Sequence, residues 1–172
     1  MKKVLAIALI LLLTITIGYA DEADNDVAFK AGFIISLLDN VEWPNDGSDT
    51  AIIAIFGSSP ITEKLDSIVA KRTVDQPPVV IRSFTSRNDL SQARILYLPS
   101  PNLKVLASVL KRTNRTNVLT VSDNPDFARY GVMINFYRDE DDSTVTFEYN
   151  KMALKISGLR VDPKLLENAR KI

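Results

Sequence analysis

The sequence predicts an α/β fold: a single-domain α/β sandwich with a mixed, partly parallel sheet that closes on a C-terminal β-hairpin. Two observations predict it. Short apolar runs alternate with segments of helical period through most of the chain, and two β-rich segments then follow one another with four residues between them.

Residues 26–42 place Val27, Ala31, Ile34, Leu37, Leu38 and Val41 at helical spacing, with Lys30, Ser36, Asp39 and Asn40 on the other side. This predicts an amphipathic first helix that stops at Glu42-Trp43-Pro44, because the residue before a proline avoids the α region. Asn45 to Asp49 read as a loop. AIIAIFG, residues 51–57, is a strand buried on both faces. Ser59 as N-cap and Pro60 at the first helical position then start a helix over about 60–71, with Leu65, Ile68 and Val69 inward.

Pro77-Pro78 breaks the chain before VVIRSF (79–84), and RILYLP follows at 94–99. Asn102 to Arg112 reads as a helix with Leu103, Leu106, Val109 and Leu110 on one side and Lys111 and Arg112 near its C-terminal end, where bases suit the helix dipole. NVLTVS (117–122) is another strand. VMINFYRD (132–139) and TVTFEYN (144–150) form the hairpin around an acidic tip, Glu140 to Ser143. A short helical stretch over 151–156 and a closing helix over 163–171, with Leu165, Leu166 and Ala169 inward, complete the chain. No repeat or interdomain linker interrupts it.

The first residues carry Lys2 and Lys3, then an uncharged apolar stretch from Val4 to Ile17, then small residues at Gly18 and Ala20. The stretch of about 14 residues is shorter than the roughly 20 that a stable span needs, so it reads as a secretory signal peptide cut after Ala20. Removing it takes Lys2 and Lys3 from 21 bases and none of the 21 acids, so 19 − 21 leaves a net charge of −2. Nothing in that balance attracts nucleic acid. With no cysteine, an exported domain of this size is held by its core alone.

The chain also has no histidine. Ser-His-Asp and Cys-His nucleophile systems and the usual zinc ligands are therefore excluded, and no catalytic residue, metal or cofactor is expected. Carboxylate pairs could do acid-base work only in a cleft that separates their pKa values, and the acids of the hairpin tip read as a solvated turn. Gly57-Ser58-Ser59-Pro60 reads as a helix cap, with anion binding as the alternative. Trp43 is either an anchor for the first helix or a partner-binding aromatic. Asn135 and Glu148 lie in the hairpin strands, with Phe136 and Phe147 on the opposite faces by alternation. A pocket of Arg129, Asn135, Glu148 and Asn150 is the most specific polar constellation in the sequence; a structural network is the competing account.

Four segments bring a family to mind: KAGFIISLLDNVEWP (30–44), IFGSSP (55–60), VLTVSDNPDFARYGVMINF (118–136) and FEYNKMALKISGLRVDPKLLENAR (147–170). Their order and spacing resemble the YfiR/HmsC-like periplasmic proteins, most specifically in the D-x-P-x-F-A-x-x-G-x-M-I-N-F string. The resemblance implies a signal peptide over 1–20 and a YfiR-like periplasmic domain over 21–172. It further implies a non-enzymatic regulator that binds and represses a membrane-bound diguanylate cyclase, or contacts another membrane signalling protein, in cyclic di-GMP and biofilm control. A homodimer is compatible with it, and the alternative is a soluble sensor of small molecules in the envelope. On this reading the exposed side of the first helix up to Trp43 and the segment around Leu159 are the places for a partner. The missing cysteines set the chain apart from relatives that carry disulfides.

Overall fold

The computed structural model describes residues 22–44, 48–73, 75–85, 90, 92–99, 102–139, 141 and 143–172. The expected leader, Met1 to Ala20, lies outside the described residues, as do Glu140 and Asp142 of the hairpin tip.

The first helix, α1, covers 22–40, and Ala31, Ile34 and Leu37 on its inner face have no exposed surface. It ends two residues earlier than its periodicity predicts. Val41–Glu42 instead forms a short strand, β1, antiparallel to β8 (Arg160–Val161). The core strands follow the apolar runs: β2 (Ala51–Phe56), β3 (Val79–Phe84), β4 (Ile95–Leu98) and β5 (Leu119–Ser122). Between them lie α2 (Ile61–Val69) and α3 (Leu103–Thr113). Pro60 is the N-cap residue of α2, one place later than expected, and Ser59 Oγ still accepts from Ile61 N–H at 3.4 Å. Asn102, the expected first residue of this helix, is its N-cap, its side chain accepting from Val105 N–H at 2.9 Å.

The hairpin is β6 (Ile134–Arg138) against β7 (Val145–Tyr149), paired antiparallel from Ile134↔Tyr149 to Arg138↔Val145. After it, α4 (Lys151–Ser157) ends at Gly158, whose φ of +78° supplies the left-handed turn that stops the helix. The expected closing helix over 163–171 is a correction. Only Pro163–Leu166 is helical (α5), and Arg170–Lys171 is a strand, β9, parallel to β7. The reason is tertiary: β7 offers an edge of unpaired backbone groups, and Ile172 N–H donates to Tyr149 C=O at 2.9 Å.

The main sheet runs β3-β2-β4-β5-β6-β7-β9, parallel from β3 to β6, and is mixed because β7 is antiparallel to β6. Side chains alternate between two cores, as the strand period requires. Ile53, Ile55, Ile95, Leu119, Val121 and Phe136 meet α1, α2 and α4 on one face. Ala54, Leu96 and Leu98 meet Leu106 and Val109 of α3, with Phe127 and Val132, on the other. Strands buried on both faces explain the unbroken apolar runs, and the fold is an α/β sandwich.

Candidate functional site

The hairpin register sets Asn135 directly across from Glu148. Their neighbours Phe136 and Phe147 face α1, where the Phe33 ring lies 5.5 and 4.2 Å from theirs. Asn135 and Glu148 therefore occupy the opposite face, and both are buried, at 0 % and 3 % exposure. Asn135 Nδ2–H donates to Glu148 Oε1 at 3.3 Å, and Glu148 Oε2 accepts from Arg170 Nε–H at 2.8 Å and from a second guanidinium nitrogen. Arg170 also stacks 3.9 Å over the Tyr137 ring. The hydrogen bond to Glu148 holds the Arg170 guanidinium above its ordinary pKa, against a smaller opposing effect of burial. A buried carboxylate is tolerable only with such partners. One atom remains unsatisfied: Asn135 Oδ1 is buried and has no hydrogen-bond donor.

These residues line a cavity of about 690 Å³ outside the C-terminal ends of β5 and β6, which also takes in Asp26, Lys30, Asp123, Asp126 and Asp139. That end of an open parallel sheet is where such folds place ligands. Lys30 of α1 closes one wall by pairing with Asp123 at 2.7 Å. Asp123 in turn hydrogen-bonds the Tyr97 hydroxyl, which is also bonded to Ser59. Burial, followed by the Asp123 charge, pushes the Tyr97 phenol far above its ordinary pKa, so it stays a neutral donor. Arg138 reaches back to Glu22 at 2.8 Å and to Asp26, tying the start of α1 to the hairpin.

The four residues read from the sequence as one polar pocket do not come together. Asn135 and Glu148 are paired in this cavity. Asn150 follows β7 directly, two residues beyond Glu148, but does not line this cavity: its Oδ1 caps α4 by accepting from Ala153 N–H at 2.8 Å while its Nδ2–H donates to Ala128 C=O at 2.7 Å. The Arg129 side chain is 70 % exposed and 3.6 Å from Asp126 on the surface. Trp43 is half-buried, its Nε1–H donating to Leu38 C=O at 3.0 Å, the geometry of an anchor for the end of α1. Leu159 is buried at 6 % and belongs to the core with α1, so its side chain presents no surface to a partner. In the Gly57 turn, the Gly57 N–H is already held by Phe84 C=O at 2.9 Å.

Residues 27–170 match the YfiR/HmsC-like family. The chain belongs to this family. No curated protein matches it. The match spans α1 through β9 and so includes Lys30, Asp123, Asn135, Glu148 and Arg170. The YfiR/HmsC-like family is one of periplasmic, regulatory and non-catalytic proteins that act in cyclic di-GMP signalling with membrane signalling proteins. Among the described residues no helix is long and apolar enough to cross a membrane, and no group of three acidic, His or Cys side chains is arranged to hold a metal.

Arg170, Lys30 and Tyr97 were missed as site residues. Arg170 sat inside an expected helix, and Tyr97 inside an apolar strand. A signal for Lys30 and Asp123 existed, since Lys30 opens one of the segments that carry the family resemblance and Asp123 begins the D-x-P-x-F-A-x-x-G-x-M-I-N-F string within another.

Proposed function

We propose that the YfiR/HmsC-like chain is exported, cut after Ala20, and represses a membrane-anchored diguanylate cyclase by binding its periplasmic domain. The family match over 27–170 carries this reading. Repression needs no chemistry from the repressor. A protein that prefers one of two conformations of its receptor shifts their populations by its differential affinity alone. Taking the cyclase from 99:1 active to 1:99 requires a preference on the order of 10⁴-fold, about 5.5 kcal/mol. A few buried apolar or aromatic anchors in one interface can supply that.

The test is cytoplasmic cyclic di-GMP in a strain lacking this gene, with and without the cyclase gene. We expect cyclic di-GMP to rise on deletion and to fall back when the cyclase is also removed. Unchanged cyclic di-GMP after deletion sinks the reading. N-terminal sequencing of the envelope fraction is expected to begin at Asp21.

A second reading, a small-molecule sensor, has one observation in its favour. Asn135 Oδ1 is a buried acceptor with no donor, in a polar cavity, and a ligand N–H or O–H would satisfy it. Native mass spectrometry of the purified protein distinguishes the two, since a sensor retains or takes up a ligand and a pure protein-binding module does not.

A further inference from the structure

Among the described residues, five large apolar side chains are exposed: Phe29, Leu103, Tyr130, Met152 and Ile156. Three of them share one place. Tyr130, Met152 and Ile156, exposed at 57, 63 and 49 %, line a groove of about 460 Å³ between the end of α3, the 130–131 turn and α4. Met152 and Ile156 are four residues apart and so stand on one side of α4. Exposed apolar residues scattered singly need no explanation, but a cluster in a concavity marks a binding surface.

The charge around the groove is of one sign. Lys111 and Arg115 line it, α4 carries Lys151 and Lys155, and no carboxylate is among the lining residues. The cavity at the other end of the sheet is lined by six carboxylates and three bases. On a chain with 21 acids, a carboxylate-free apolar groove with a basic rim is a segregated feature, complementary to an occupant that is apolar on one side and acidic on the other.

The surface is also held in shape. Asn150 caps α4 and bonds to Ala128 C=O, so one side chain ties α4 to the turn that carries Tyr130. The Phe127 and Tyr130 rings meet edge to face at 6.3 Å. A preformed groove loses less entropy on binding than a mobile patch.

We propose that this groove docks an acidic amphipathic segment of the membrane signalling partner, with Tyr130, Met152 and Ile156 as apolar anchors and Lys111 and Arg115 as the charged rim. This rests on the repressor reading for the identity of the partner, though not for the chemistry of the segment. A concave groove suits a rod of protein that can enter it, whereas a flat anionic bilayer would meet only its rim.

The test uses the mature protein with a labelled amphipathic peptide bearing Leu on one helical face and Glu on the other. A Lys-for-Glu counterpart and phosphatidylglycerol vesicles serve as comparison probes. We expect the acidic peptide to bind, and its affinity to drop about tenfold or more in Met152→Asp/Ile156→Asp and in Lys111→Glu/Arg115→Glu, as loss of central anchors or rim charge predicts. Circular dichroism and melting should match the parent, since the substituted side chains are exposed. The Lys peptide should not bind. Equal binding of both peptides, indifference to the four substitutions, or binding to vesicles in place of the acidic peptide would overturn the proposal.

Complementation separates this from the repressor reading. In the deletion strain, Met152→Asp/Ile156→Asp is expected to leave cyclic di-GMP high where the parent chain lowers it. A variant that lowers it as the parent does rejects the groove and leaves the repressor standing. If the parent chain itself has no effect, the repressor reading fails, and the peptide measurement alone decides the groove.

Discussion

Lys30 Nζ lies 2.7 Å from Asp123 Oδ2, joining two residues 93 positions apart that each belong to a family-resemblance segment. Both side chains are about four-fifths buried, and Tyr97 and Ser59 extend the network toward β4 and the turn after β2. The ion pair thus fastens the first helix to the C-terminal ends of the central strands.

Breaking that pair is expected to destabilise the domain. Lys30→Met leaves Asp123 with the Tyr97 hydroxyl but without its cation, and we expect a loss of roughly 1–3 kcal/mol. Lys30→Met/Asp123→Asn together should cost less than the sum of the two single changes, because each single variant leaves one charge of the pair without its partner and the double variant leaves none. Denaturant titration of the four proteins measures the coupling; strict additivity would show that the contact contributes nothing.

Tyr97 gives the protein an alkaline limit. Its phenol keeps its proton in the folded state to a higher pH than in the unfolded chain, where tyrosine ionises near 10. Between those two values the unfolded state binds fewer protons, so stability present below about pH 10 falls as pH rises above it. Tyr97→Phe should remove that part of the slope while losing the bonds to Asp123 and Ser59. Stability measured from pH 8 to pH 11 is expected to fall more steeply in the parent than in Tyr97→Phe.

At the hairpin, Glu148→Ala strands Asn135 Nδ2–H and frees the Arg170 guanidinium, and Asn135→Ala takes from Glu148 Oε1 its bond to Asn135. Each is expected to lower stability by roughly 1–3 kcal/mol, and Glu148→Ala also to loosen β9, whose side-chain tie to β7 is this pair. Denaturant midpoints and amide exchange of Arg170 and Lys171 report the two effects. Parent-like midpoints for both variants would show that the cluster is held for binding instead.

Asn150→Ala removes the cap of α4 and the bond to Ala128, and we expect a loss of about 1–2 kcal/mol. Because the same side chain positions the wall of the apolar groove, acidic-peptide binding should weaken by more than it does in Lys155→Ala, an exposed change on the same helix. Equal weakening would show that α4 keeps its place without this cap.

Elements with a long, one-sided pattern were legible before any coordinates. The α1 periodicity, the doubly apolar run of β2, the apolar runs of β4 and β5, the helical period of α3, and the β6–β7 hairpin depend on local period, which neighbouring residues in the chain already specify. The hairpin even implied that Asn135 and Glu148 share a face, since alternation follows from the pleat. Short strands were not legible. Two residues of β1, β8 or β9 have no period, and each exists only because another strand or edge offers it hydrogen bonds.

By itself, the sequence determined the α/β class, the family, the exclusion of His- and Cys-dependent chemistry, and that the 51–57 strand is buried on both sides. Those properties reside in residue types and local spacing. Only the tertiary structure decided that the Asn150 side chain is committed to α4 and Ala128, that Leu159 is core, that Arg170 partners Glu148, and that Tyr130, Met152 and Ile156 meet in one groove. Each of these depends on distances between segments remote in the chain, set by strand order and helix packing, and side-chain identity carries no record of such distances.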